Sequence, residues 1–156
     1  MNGGFAKAGM TVATQPEFSR AVQVRLVGTW MLVALGGEGV LVERLGTNPV
    51  GILVYDASEN MSVQIMNKEH GRLPLSTDKD IKAAFQSYVG YFGKYSIDLE
   101  ERSITHHVVG SLYPRDVGRD FKRLYEFSGD QLILTATGLI AGDPIAAHLV
   151  WERTGR

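Results

Sequence analysis

The chain has 156 residues, of which 44% are hydrophobic and 21% charged, as is usual for a globular protein. Its 16 basic and 17 acidic residues give a formal net charge of −1. The basic residues are scattered, which excludes a general electrostatic attraction to nucleic acid. The absence of cysteine excludes disulfides, thiolate nucleophiles and cysteine-bound metals. No apolar run reaches the roughly 18 residues of a membrane-spanning helix, so neither a nucleic-acid nor a membrane partner is expected.

Residues 1–23 show no periodic apolar pattern and are predicted to form a disordered leader. Lys7, Glu17 and Arg20 interrupt this stretch, which therefore lacks the continuous apolar core of a secretory signal peptide. A cytoplasmic location is accordingly the default expectation. The folded domain is expected over residues 24–156, and the oligomeric state is left open, with a homodimer as one option.

Short apolar runs separated by turn residues make up most of the remaining chain, which indicates β-strands. Glycine is abundant, with 18 residues, and most of it stands between these runs. The predicted strands cover residues 26–35, 39–45, 49–56, 61–67, 93–100, 103–111, 118–128, 131–137 and 145–153.

A single segment, residues 78–92, follows helical spacing instead. Thr77 and Asp80 resemble a capping box at its start. The apolar positions with this spacing are Ile81, Ala84, Phe85, Tyr88 and Phe92. The aromatic ones, Phe85, Tyr88 and Phe92, are predicted to pack on the strands. About nine strands with one helix is not an α/β alternation, so an antiparallel sandwich or closed barrel is favoured over a parallel sheet.

The alternation of residues within two strands predicts which side chains face the interior. Tyr95 and Ile97 share one face of their strand, and Phe121, Arg123 and Tyr125 share one face of another. Arg123 is unusual there, because a buried arginine needs a carboxylate, a carbonyl or a bound anion near it. Two interpretations remain open: an internal salt bridge, for which Glu43 and Asp98 are the candidates, or an anchor for an anionic ligand.

Two motifs carry a family resemblance. Gly28-Thr29-Trp30 opens the first strand as Gly-x-Trp does in lipocalins and related calycins, and Trp151-Glu152-Arg153 closes the last strand. Between about residues 27 and 153 the chain resembles the bacterial and fungal lipocalin-like domain family, with matching stretches at residues 28–33, 49–55, 61–63, 91–95, 105–108 and 129–132.

The resemblance implies an all-β fold, a single antiparallel lipocalin-like (calycin) β-barrel of about eight or nine strands with one short α-helix packed on it. It also implies that Arg153 packs across Trp30 at the closed end of the barrel, in a cation–π contact.

His106 and His107 are adjacent on a predicted strand, so their side chains point to opposite faces and cannot bind one metal together. We expect His106 to face the interior with Ile104 and Val108, leaving His107 outside. His106 is then either a hydrogen-bonded core histidine, a ligand-contacting or acid–base group, or an axial haem ligand. No metal site is predicted, because no second ligand stands at recognisable spacing.

These observations favour a protein that binds a small hydrophobic or aromatic molecule inside the barrel, without a cofactor. The candidate ligand-binding residues are Tyr55, Tyr95, His106, Arg123 and Tyr125. Tyr55 and Tyr95 also fit a role as plain barrel core. One alternative is a cofactor-free isomerase or cyclase, in which His106 and Arg123 polarise an enolisable carbonyl group. A haem-binding barrel is the other, and catalytic activity is left open.

Overall fold

A computed structural model describes residues 12–140 and 142–155. Eight antiparallel strands form a closed barrel in which each strand pairs with its sequence neighbours and the last pairs with the first. The strands are β1 (Gly28–Glu38), β2 (Val50–Tyr55), β3 (Asn60–Met66), β4 (Tyr88–Asp98), β5 (Ser103–Ser111), β6 (Asp120–Ser128), β7 (Gln131–Ile140) and β8 (Asp143–Arg153). The prediction of an antiparallel lipocalin-like barrel is confirmed.

Closure of the barrel depends on the pairing of β1 with β8, in which Trp30 stands opposite Arg153 and Leu32 opposite Trp151. This pairing removes the exposed edges that an open sheet would present. Alternate residues then point into the barrel. On β5, Ile104, His106 and Val108 are buried, as their spacing of two predicts, and Ser103 at the start of the strand is buried as well.

The apolar run at residues 39–45 forms a helix, α2 (Val40–Leu45), and the prediction of a strand there is wrong. A short apolar run fits either a strand or a buried helix, so its pattern could not decide between them. Leu41 and Leu45 are four residues apart, lie on one face of the helix and are both buried. Gly39 and Gly46 bound α2 with positive φ angles of 127° and 73°, which glycine adopts without steric cost.

The predicted helix over residues 78–92 is shorter than expected. α3 (Asp78–Gln86) begins at the capping box of Thr77 and Asp80, and β4 follows from Tyr88. The helical spacing of the sequence therefore predicted a helix that is too long. Residues from Tyr88 onward belong to β4, in which the odd-numbered side chains point into the barrel. Phe92 is a strand residue on the outer face and is 53% exposed. Its ring lies over Gly110 of β5, so Phe92 belongs to the barrel wall and not to a helix packed on it.

A further helix, α1 (Gln15–Leu26), occupies part of the predicted disordered leader, which is wrong for residues 15–23. Leu26 is completely buried, and the Gln23 amide donates to the carbonyl of Ala57 and the hydroxyl of Tyr95, each at 3.3 Å. These contacts place α1 at the end of the barrel where β1 begins. Residues 1–11 of the predicted leader lie outside the described residues. Across the described part of the chain, none of the helices is long and apolar enough to cross a membrane.

Candidate functional site

A cavity lies inside the barrel, between its middle and the end that α2 covers. Its walls are mostly apolar, and its polar lining comes from Tyr91, His106 and Arg123. The apolar lining includes Leu35, Leu41, Val42, Leu45, Leu53, Val63, Ile65, Val89, Leu134, Ala136, Ile140, Ile145, Leu149 and Trp151. The cavity volume is about 40 Å³, enough for about three water molecules at roughly 10–15 Å³ each. The empty space between the lining atoms is about 550 Å³ when solvent-open space is included.

His106 lies between two tyrosine hydroxyls at the centre of the barrel. The hydroxyl oxygen of Tyr55 is 2.6 Å from Nε2, and that of Tyr91 is 2.8 Å from Nδ1. The three residues come from β2, β5 and β4, so only the closed barrel brings them together. Both imidazole nitrogens of His106 are therefore hydrogen-bonded.

The three groups are held in their neutral forms. Burial lowers the pKa of His106 well below 6.5, and the positive charge of Arg123 lowers it further. Burial also raises the pKa of Tyr55 and of Tyr91 above 10.0. At neutral pH the imidazole therefore carries one proton and each tyrosine keeps its own.

The imidazole N–H and the two tyrosine O–H groups together carry three protons. The two hydrogen bonds use two of them, so one proton is left over. A neutral imidazole donates from one nitrogen and accepts at the other, so one tyrosine donates to the ring while the other accepts from it. The accepting hydroxyl has no second acceptor for its own proton among the described residues. If Nδ1 carries the imidazole proton, the spare proton belongs to Tyr91, which lines the cavity.

Arg123 is the charged group of this site and is only 4% exposed. Its Nη1 donates to the carbonyl oxygen of Lys122 at 3.2 Å, and its guanidinium carbon lies 5.1 Å from the centroid of the Phe121 ring. No ion pair between described residues includes Arg123. Glu43 and Asp98 are exposed, so the predicted salt bridge with either one is wrong.

The other predicted site residues lie elsewhere. Tyr95 donates to the carbonyl oxygen of Asp56 at 2.7 Å, at the end of the barrel that α1 covers. Tyr125 lines a separate groove beside α1. Neither residue lines the barrel cavity, whereas Tyr91, which the sequence did not single out, does.

The predicted contact between Trp30 and Arg153 is present. The guanidinium carbon of Arg153 lies 4.3 Å from the centroid of the Trp30 ring, within the range of a cation–π interaction. Nη1 of Arg153 also donates to the carbonyl oxygen of Val27 at 2.7 Å. The pair therefore joins β1, β8 and the end of α1, at the end of the barrel away from α2.

The helix α2 covers the opposite end of the barrel. Leu41, Val42 and Leu45 point from α2 into the cavity. On its outer side, Nη1 of Arg44 lies 2.8 Å from Oδ2 of Asp143, at the start of β8. This salt bridge connects α2 to the barrel rim.

Among the described residues, the site contains neither a metal-binding cluster nor a histidine nitrogen that is free to bind haem. No group of three or more histidine, aspartate and glutamate side chains that could hold a metal occurs among the described residues. A haem ligand needs a free imidazole lone pair, and both nitrogens of His106 are occupied by tyrosine hydroxyls. The haem-binding alternative therefore lacks support.

A second polar cluster lies on the outer face of the barrel. Oγ of Ser96 is 2.8 Å from Nε2 of His107, and Oδ1 of Asp120 is 2.7 Å from Nδ1. The order of contacts matches a serine-protease triad. However, the His107 and Asp120 side chains are 41% and 65% exposed. The three strands are also paired on both sides, so their backbone N–H groups cannot form an oxyanion hole. We assign this cluster to surface pairing between strands.

Comparison with known proteins identifies the class of this barrel. Residues 27–154 match the family described as the lipocalin-like domain, and the chain belongs to that family. No curated protein matches the chain.

Among solved structures, the tryptamine complex of the amine binding protein of Rhodnius prolixus is similar, with a TM-score of 0.42 and 13% sequence identity. The similarity covers 84% of this chain and 64% of that one, so the chain spans less than two thirds of the length of that protein.

Proposed function

We propose that this protein binds a small, largely apolar organic molecule inside the barrel, and that Arg123 holds an anionic group of that molecule. A carboxylate, an enolate or a phenolate would serve. The observation that carries the proposal is the position of Arg123, which lines the cavity, is 4% exposed and takes part in no ion pair between described residues.

A buried guanidinium without a nearby negative charge is costly, and a ligand anion would remove that cost. The neighbouring groups favour the same kind of ligand. His106, Tyr55 and Tyr91 together hold one hydroxyl proton without an acceptor among the described residues. When that proton is on Tyr91, which lines the cavity, an anionic oxygen can accept it as well as the protons of Arg123. A cationic amine would meet like charge at this position.

The walls limit the size of the ligand. A cavity of about 40 Å³ is smaller than an engineered cavity of about 150 Å³ that binds benzene. Side chains at the mouth must therefore move for a ligand of one ring to enter. Leu41 and Leu45 of α2 lie at the mouth, and the glycines at both ends of α2 would let the helix tilt away.

Three probes of similar size and different charge test the proposal: benzoate, benzamide and benzylamine, each titrated near neutral pH with binding followed by calorimetry. We expect benzoate to bind most tightly and benzylamine most weakly. The variant Arg123→Met keeps most of the side-chain volume and should weaken benzoate binding at least about tenfold, or about 1.4 kcal/mol. Binding of benzamide should change much less.

The matched control is Lys122→Met, which removes an exposed positive charge from the adjacent position on the outer face of β6. It should leave benzoate binding unchanged. An equal loss of benzoate affinity in both variants would mean that any positive charge in this region has the same effect. That result would overturn the proposal. A loss of about 3–5 kcal/mol of stability in Arg123→Met would instead reveal a buried protein carboxylate paired with Arg123.

The isomerase or cyclase alternative requires a base that can take a proton from carbon. His106 is a poor base, because its pKa is lowered by burial and both its nitrogens are hydrogen-bonded. The geometry therefore supports binding better than catalysis. Phenylpyruvate in D₂O tests this directly, since faster deuterium exchange at its enolisable carbon, lost in His106→Asn, would establish catalysis.

A further inference from the structure

Trp151 brings a further polar group to the lining of the cavity, in addition to Tyr91, His106 and Arg123. Its side chain lines the cavity and is 1% exposed. Its indole Nε1 is buried and has no hydrogen-bond partner among the described residues. Leaving a buried donor without an acceptor destabilises the folded protein, and native proteins seldom retain one without a reason.

The other tryptophan of the chain shows that this fold can satisfy a buried indole. Trp30 is 2% exposed, and its Nε1 donates to the carbonyl oxygen of Leu26 at 2.9 Å. Trp151 has no such carbonyl, and the residues opposite it on the neighbouring strands are Leu32 and Leu132. The described residues supply no acceptor for this N–H, and a molecule in the cavity, which the Trp151 side chain lines, could supply one.

Trp151 and Arg123 border the cavity at different levels. The pairing of β6, β7 and β8 places Arg123 in register with Ala136 and Ala147. Trp151 lies four residues further along β8, which is about 13 Å at roughly 3.3 Å per residue. The indole is therefore closer to the end covered by α1, and the guanidinium is closer to the mouth.

On this basis, and resting on the proposed function, we propose that the ligand is a small organic acid with a second, uncharged acceptor at the end opposite its anionic group. The anionic group binds Arg123 near the mouth. The second acceptor, a carbonyl oxygen or an aromatic ring nitrogen, accepts the hydrogen bond of Trp151 Nε1 deeper in the barrel. A ligand that is wholly apolar at its inner end would leave this donor unsatisfied.

Benzoate and pyridine-4-carboxylate test this proposal, because they have the same shape and differ only in one ring atom opposite the carboxylate. A ring nitrogen that is buried without a partner loses its hydrogen bond to water and weakens binding. We expect the opposite result: pyridine-4-carboxylate should bind at least about fivefold more tightly than benzoate, the equivalent of about 1 kcal/mol. In pyridine-3-carboxylate the ring nitrogen is one position away from the atom opposite the carboxylate. Its affinity should therefore exceed that of benzoate by a smaller factor.

The variant Trp151→Phe removes the N–H and should abolish the preference for the pyridine acid. A second measurement needs only the native protein. The chain has two tryptophans, so its NMR spectrum contains two indole N–H signals. In the free protein, the Trp151 proton should resonate upfield of the hydrogen-bonded Trp30 proton and should move downfield when pyridine-4-carboxylate binds. The Trp30 signal should stay in place.

The outcomes separate this proposal from the one on which it rests. If benzoate binds through Arg123 but the pyridine acid binds no better and the Trp151 signal does not move, the second acceptor is refuted and the anion site stands. A Trp151 signal already in the hydrogen-bonded range in the free protein also refutes it. If none of the acids binds, both proposals fail.

Discussion

The hydroxyl group of Tyr55 lies 2.6 Å from Nε2 of His106, and the two residues are 51 positions apart in the sequence. Both side chains are at most 2% exposed, so water cannot replace either partner without opening the barrel. Together with Tyr91, they form a polar centre in an otherwise apolar interior. Such a network favours one arrangement of the core, and here one hydroxyl proton is left without an acceptor among the described residues.

The variant Tyr55→Phe should therefore destabilise the protein. It removes the hydroxyl and leaves Nε2 of His106 buried without a partner, at a cost of about 1–3 kcal/mol. Urea unfolding measures the change. The matched control is Tyr125→Phe, because Tyr125 is also a buried strand tyrosine, but its hydroxyl forms no hydrogen bond among the described residues. The control should lose less than about 1 kcal/mol, and equal losses would contradict the role given to His106.

Stability should fall when the pH drops below the ordinary pKa of histidine. Burial holds the pKa of His106 well below 6.5 in the folded protein, while in the unfolded chain it returns to that value. Between the two values the unfolded state binds the additional proton, so acid favours unfolding. The contribution of His106 is complete above about pH 6.5 and decreases below it, by at most about 1.4 kcal/mol per pH unit.

The measurement is the unfolding free energy between about pH 7 and about pH 5.5, a range in which few carboxylates titrate. NMR of the imidazole assigns the effect to its residue. The His106 ring should stay neutral throughout this range. A His106 ring that becomes charged at about pH 6.5 or above would show that the barrel does not exclude the imidazolium form.

Gly28 should not tolerate a side chain. A Cβ atom at this position would clash with Nη1 of Arg153, and the backbone φ angle is +144°, which side chains disfavour. The variant Gly28→Ala should therefore displace Arg153 from Trp30 and cost about 1–3 kcal/mol. The control is Gly36→Ala on the same strand, where nothing lies within 4 Å of the added carbon. Thermal unfolding that ranks the two variants equally would contradict this explanation.

The alternation of residues was enough to predict the orientation of the central polar groups. A strand places successive side chains on opposite faces, so the apolar neighbours of His106 and of Arg123 indicated that both face inward. The sequence also supplied the barrel class and the contact between Trp30 and Arg153, through the resemblance to the lipocalin-like domain family.

The remaining parts of the site depend on long-range register, which no local pattern contains. Tyr91 was overlooked because the helical spacing of α3 continues by coincidence into β4. The role of α2 was missed because its apolar run is too short to distinguish a helix from a strand. The partners of Arg123 could not be chosen, since pairing with Glu43 or Asp98 required knowing which faces those residues occupy.

The salt bridge between Arg44 and Asp143 should control access to the cavity. It joins α2 to the start of β8 at 2.8 Å, and both side chains are partly shielded, at 29% and 28% exposure. Because Leu41 and Leu45 line the cavity from the same helix, we expect a ligand larger than a few water molecules to displace α2 as it enters. The variant Arg44→Gln removes the charge that holds the helix in place. We expect benzoate to associate and dissociate faster, both by about threefold to tenfold, if the bridge contributes roughly 1 kcal/mol to the closed position of α2. The dissociation constant should change less, because Arg123 and the cavity walls remain.

Stopped-flow measurements give both rates. The control variant Arg72→Gln breaks an exposed bridge to Glu69 outside the cavity, and its rates should equal those of the native protein. Unchanged rates in Arg44→Gln would show that the ligand enters without movement of α2.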